Sequence, residues 1–139
     1  MFNWLRKRRE RRDKFAHDCQ DRMKYAGFVP GVTEEDVRRI IRRDYPNEDV
    51  EAILDELRVS GPCERVHAAI LKLANGNRRL INENAARARV DFRDVIILAE
   101  SPLFWKIAAD IKEFVTRPIE EVARIAKEDE TNYRNWLYG

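Results

Sequence analysis

The sequence is poor in everything that staples or bends a small fold. Only 2 of its 139 residues are cysteine, at Cys19 and Cys63. Two thiols so far apart make no disulfide framework, and a reduced, cytoplasmic setting is the expectation. Glycine and proline number 5 each, too few for a turn-rich β sandwich. Histidine appears twice, as His17 and His67. Long apolar runs are missing as well. The strongest, Val95-Ile96-Ile97-Leu98-Ala99, falls far short of the roughly 20 residues that cross a bilayer. A secretory leader is not expected either, because Phe2, Trp4 and Leu5 precede the first charges, the reverse of a signal peptide.

What the chain has in abundance is charge, 37% of residues, in a mix rich in helix formers. The formal net charge is only +2, but it is unevenly spread: residues 1–26 hold nine Lys/Arg against four Asp/Glu. The remainder holds eighteen against twenty-one. A basic segment on a mildly acidic body points to an anionic partner.

The apolar residues recur at helical spacing throughout. Residues 3–26 read as one helix, bare of apolar positions from Arg6 to Lys14 and then carrying Phe15, Cys19, Met23 and Ala26 inward. Gly27 and Pro30-Gly31 break it. Thr33 caps a second helix with three acids in its first turn, favoured by the dipole. Val37, Ile40 and Ile41 form its inner face, and Pro46 ends it. A third helix carries Val50, Ile53, Leu54 and Leu57, and Ser60-Gly61-Pro62 closes it. A fourth turns Val66, Ala69, Ile70 and Leu73 inward before Gly76. A fifth, weakly apolar, spans 77–89. Asp91 caps a sixth, in which Phe92 and Val95 pack. Ser101-Pro102 opens a seventh that runs to Val115 with Leu103, Phe104, Ile107 and Ile111 inward. Pro118 starts an eighth, and Tyr133, Trp136, Leu137 and Tyr138 lie on a tail that is either a last helix or an extended arm. No stretch alternates with period two. The expectation is an all-α fold, a compact array of seven to eight short helices without a sheet. Residues 1–26 form a basic N-terminal helix and residues 27–139 a helical body.

Two resemblances accompany this reading. Within residues 33–76, a short helix ending in Asp44-Tyr45-Pro46 precedes one that reads Arg65-Val66-His67-Ala68-Ala69-Ile70-Leu71-Lys72-Leu73. This resembles the three-helix ubiquitin-associated and CUE domains. The resemblance implies Tyr45, Pro46 and Leu71 as a binding surface, although Arg42-Arg43-Asp44 stands where CUE domains place an apolar pair. Within residues 65–102, that same helix together with Val90-Asp91-Phe92-Arg93-Asp94-Val95 and Ala99-Glu100-Ser101-Pro102 resembles a block found in short bacterial all-helical proteins of unknown function. That resemblance implies a bacterial origin and supplies no activity.

Chemistry-bearing constellations are few. His17, Cys19, Cys63 and His67 make up a Cys₂His₂ inventory, but His17 and Cys19 point to different sides of a helix, so no metal and no cofactor are expected. Cys63 and His67, one turn apart, are the residues a cysteine enzyme would use. No orienting acid or oxyanion loop accompanies them, so no catalytic residue is expected. Glycine-rich phosphate loops and HExxH are missing too, and no small-molecule substrate is expected.

The clearest functional signal is Arg6, Lys7, Arg8, Arg9, Arg11 and Arg12, flanked by Phe2, Trp4 and Leu5. Three readings suit residues 1–14. A solvated helix face or an arm that docks a protein, including a second copy of the chain, is the leading reading; Trp136 and Tyr138 close the core or serve as further contact candidates. Anionic headgroups at the inner face of the membrane are the second, with Phe2, Trp4 and Leu5 dipping into the interface. Nucleic-acid phosphates are the third. A regulatory or scaffolding interaction module is the expectation overall.

Overall fold

Helix boundaries in this chain are written by capping chemistry. The computed structural model describes residues 2–23 and 28–139. Among them are nine helices and no strand: α1 (Phe2–Met23), α2 (Glu34–Asp44), α3 (Val50–Arg58), α4 (Glu64–Ala74), α5 (Arg78–Val90), α6 (Phe92–Glu100), α7 (Pro102–Ala108), α8 (Ile111–Thr116) and α9 (Ile119–Tyr138). The fold is all-α, and no described helix is long and apolar enough to cross a membrane.

Thr33 and Asp36 form a reciprocal capping box: the Asp36 amide donates to Thr33 Oγ1 at 3.1 Å and the Thr33 amide to Asp36 Oδ2 at 3.0 Å. Those bonds hold the Asp36 carboxyl below its ordinary range. Asp49, Asn77 and Asp91 cap α3, α5 and α6 by one-way bonds, each accepting an amide two residues on. At the far end of α4 the chain turns left-handed, at Asn75 with φ 48° and Gly76 with φ 82°.

Two apolar clusters result. The larger is built by α2 through α6 and the C-terminal half of α9, with Ile40, Ile41, Ile53, Leu57, Ile70, Leu71, Ile81, Val95, Tyr133 and Leu137 all but sealed from solvent. The smaller joins Phe104 and Ile107 of α7, Phe114 of α8, and Val122 and Ile125 of α9. The Phe104 and Phe114 rings meet edge to face, with centroids 5.6 Å apart. Among the described residues only α9 contributes to both clusters, burying Val122, Ile125, Asp129, Tyr133 and Leu137 along one stripe.

Three local expectations are corrected. The single seventh helix breaks at Ala109–Asp110, where the Asp110 side chain accepts the Glu113 amide and starts α8 afresh. The break resets the helical phase, so Ile111 faces solvent at 55% exposure instead of packing; Leu103, also expected inward, is exposed as well. Second, the eighth segment and the aromatic tail are one continuous helix, since no glycine or proline interrupts 119–138. Third, the inward pair of α6 is Val95 and Ala99, while Phe92 in its first turn stands half-exposed.

Asp129 joins the two clusters. It is 2% exposed. Its carboxylate accepts the amides of Leu103 at 3.1 Å and Phe104 at 2.8 Å. It thereby caps α7 from a helix more than twenty residues away, because Ser101 at the cap position makes no side-chain cap bond. Asp129→Ala would leave those amides without their acceptor and is expected to cost about 1–3 kcal/mol. Asp129→Asn, which keeps an acceptor oxygen, should recover part of that loss. Urea unfolding of the three proteins checks the order.

Candidate functional site

The residues singled out in the sequence do not converge on one place. Those of the basic segment share the exposed N-terminal half of one helix, α1. From Asn3 to Lys14 every side chain of α1 is exposed, along roughly 18 Å of helix. Trp4 is 62% and Leu5 55% exposed. Phe2 is the first residue of α1, and its side chain lies outside the described residues. The C-terminal end of α1 is attached: Arg22 donates to the Arg117 carbonyl at 3.0 Å, at the joint between α8 and α9.

Helical geometry sorts the charges of this arm. At about 100° per residue, Arg8, Arg9, Arg11 and Arg12 project into the same half of the circumference as Trp4 and Leu5. Two shallow grooves follow, one lined by Leu5, Arg8, Arg9 and Arg12, the other by Trp4, Lys7, Arg8 and Arg11. The Arg8 guanidinium lies over the Trp4 ring, 5.4 Å from its centroid, an attraction of about 0.5–1 kcal/mol at an exposed site. Glu10 and Asp13 occupy the opposite half, where Glu10 pairs with Arg6 at 3.5 Å. One half of the arm is therefore arginine without an acid. Lys7–Arg11 and Arg8–Arg12 are like charges four residues apart, each pair costing the helix a few tenths of a kcal/mol. An anion laid along that half removes the cost.

The C-terminal aromatics have partners inside the fold. Trp136 is half-buried against the larger cluster, its ring 5.4 Å from Tyr133 and beneath the Arg43 guanidinium at 5.3 Å. Arg43 also donates to the Trp136 carbonyl at 2.6 Å, and Arg39 to the Leu137 carbonyl at 2.7 Å. Two α2 arginines thus meet the orphan carbonyls and negative dipole end of α9. Tyr138 is 52% exposed and its hydroxyl donates to the Gly31 carbonyl at 3.3 Å. Of the surface implied by the ubiquitin-associated resemblance, Tyr45 and Leu71 are buried in the core and only Pro46 faces solvent.

His67 and Cys63 part company. His67 is 5% exposed. Its Nε2 lies 2.7 Å from the Gly61 carbonyl, and since a carbonyl only accepts, that nitrogen carries the proton. The ring pins the turn between α3 and α4. Cys63 sits at the N-cap of α4, exposed and making no cap bond. Around His67 opens a cavity of about 380 Å³ lined by Glu34, Val37, Leu54, Arg58, Gly61, Pro62 and Glu64. Two of its rim charges are paired, Glu34 lying 3.3 Å from Arg38 and 3.5 Å from Arg58. The side chains of His17 and Cys19 lie outside the described residues, leaving the Cys63–His67 half of that four-residue set.

A buried polar group escaped the sequence reading. Glu100, 2% exposed, takes a two-pronged grip from Arg65, with Nε donating at 2.8 Å and Nη2 at 2.7 Å. Lys72 lies half-buried with its ammonium 5.8 Å from the Tyr133 ring centroid. Burial lowers the Lys72 pKa and raises that of Asp129, and each charge partly offsets the shift of the other. Burial likewise pushes the Tyr133 phenol up. The available signal was position: Asp129 falls between Ile125 and Tyr133 on the apolar stripe of α9, and Glu100 follows Ala99 on the inner side of α6.

Burial also holds the His67 imidazole below its ordinary range, with the Gly61 bond acting in the opposite direction. The unfolded chain then binds the extra proton first, so this contribution to stability is present above about pH 6.5 and is lost as pH falls below it. Chemical-denaturant stability should therefore decline between about pH 7 and pH 5. The decline should be shallower in His67→Gln, and parallel profiles would contradict the assignment.

A scan against family models finds no match to this chain, and comparisons with curated proteins and with solved structures find none either.

Proposed function

We propose that this chain is a non-catalytic macromolecular-interaction module, regulatory or scaffolding in role. The helical body holds α1 out as a basic arm that docks an anionic surface. The observation that carries this reading is the arm itself. From Asn3 to Lys14 no side chain is buried, and the segment holds seven basic residues against two acidic ones. A helix that is polar nearly all round draws little stability from its own fold, and its charge finds no counterpart in the packing of the body. A partner supplying negative charge accounts for both facts.

The rest of the molecule is consistent with a support role. The buried carboxylates Glu100 and Asp129, the first held by the half-buried Arg65, are occupied with helix joints, and His67 with a turn. Trp136 is held under Arg43, so docking is assigned to Arg8, Arg9, Arg11 and Arg12 with Lys7. The setting proposed is the cytoplasm, in keeping with two cysteines far apart in sequence.

Retention on a sulfated polyanion column tests this. The full chain should bind at low salt and elute as salt rises. Replacing Arg8, Arg9, Arg11 and Arg12 by Gln should remove about 1 kcal/mol of attraction per charge and bring elution close to the void, with the melting temperature unchanged. Equal elution of parent and variant would refute the arm as the docking element.

A further inference from the structure

The arm does not present charge alone, and this narrows what it docks. We infer that α1 is a peripheral anchor for an anionic lipid surface, with Trp4 and Leu5 entering the interface while Arg8, Arg9, Arg11 and Arg12 hold lipid phosphates. The inference rests on the docking role proposed for the arm and names its partner.

Three observations carry it. First, Trp4 and Leu5 are both more than half exposed and lie in the same half of the helix as the four arginines. A phosphate surface that meets those arginines therefore meets the two apolar side chains as well. A lipid interface offers phosphates and, about 5–10 Å deeper, an apolar layer that accepts them. A nucleic-acid groove offers phosphates over hydrated base edges, which give Leu5 nothing comparable. Tryptophan is also the side chain most at home at the headgroup level.

Second, the carboxylates are turned away. Glu10 and Asp13 occupy the opposite half, and Glu10 is paired with Arg6. Docking the arginine half therefore brings no acid against the anionic surface. Third, the Arg8 guanidinium rests over the Trp4 ring, so charge and ring reach the surface as one unit. The long stems of Arg9 and Arg12 beside Leu5 can lie along apolar chains while their guanidinium heads stay at the phosphates. The bilayer is met from one side only, since no described helix can span it.

The test is co-sedimentation of the full chain with phosphatidylcholine vesicles and with vesicles that also contain phosphatidylglycerol. Binding is expected to the mixed vesicles alone. Arg8→Gln with Arg12→Gln should weaken it roughly thirtyfold, about fivefold per charge. Trp4→Ser with Leu5→Ser should weaken it by about tenfold or more while leaving elution from the polyanion column as in the parent. All four residues are exposed, so the folded body serves as its own control by circular dichroism. Vesicle binding that ignores the Trp4 and Leu5 changes overturns the lipid inference. So does a chain that stays on the polyanion column, or grips duplex DNA with steep salt dependence, yet ignores both vesicles; the docking role then stands without lipid. A chain retained by neither column nor vesicles overturns both readings.

Discussion

Midway along α9, a carboxylate with almost no access to water accepts two amides from the first turn of α7. The Asp129 contacts, at 3.1 and 2.8 Å, fix where α7 begins and the direction in which it leaves. Everything after it follows in order. Phe104 and Ile107 face the N-terminal half of α9, α8 folds back to add Phe114, and Arg117 closes onto Glu113 and Glu121. Arg22 then meets the Arg117 carbonyl, and this is where α1 is attached. The arm's place on the molecule is thus inherited from a buried acid on another helix. A charge in that position is costly unless satisfied. Two amides, with the half-buried Lys72 as a neighbouring positive charge, are what satisfy it.

The contrast between body and arm is energetic. In the body, buried leucines and isoleucines, each worth roughly 1.5–3 kcal/mol, lock α2 to α6 and the end of α9 together. The Arg65–Glu100 pair sits at the edge of that core, and breaking one partner of such a pair costs about 3–5 kcal/mol. Residues 3–14 of the arm have no such contacts. Their helix rests on propensity and exposed pairs, against like-charge repulsion along one half. An anionic surface reverses the sign of that repulsion, so order in the arm and occupancy of its arginines are linked quantities.

Much of the architecture was legible in the sequence because caps and stripes are local. Thr33, Asp49, Asn77 and Asp91 announce helix starts through side chains that reach only two or three residues, and Val37, Ile40 and Ile41 mark a buried face by spacing alone. The misread places depend on distant partners or on competition between signals. Asp110 outcompeted a continuous apolar period, which split α7 from α8 and put Ile111 in solvent. Ser101-Pro102 signals a cap, yet the carboxylate that caps α7 comes from Asp129, and no local rule finds it. The packing of Trp136 likewise involves Arg39 and Arg43, nearly a hundred residues earlier, which donate to the carbonyls of Leu137 and Trp136 and which no local rule pairs with it. The basic arm was visible as composition, but the segregation of Glu10 and Asp13 from the four arginines becomes meaningful only once residues 3–14 are known to be exposed all round.

Backbone amide hydrogen exchange tests the division between a self-sufficient body and the proposed docking arm. In the free protein, amides of residues 3–14 should exchange within a small factor of unfolded-chain rates, while those of α4 and the C-terminal half of α9 are protected to the level of global unfolding. Adding vesicles that contain phosphatidylglycerol should slow exchange in residues 3–14 alone. Protection of residues 3–14 in the free protein equal to that of α4 would contradict the account.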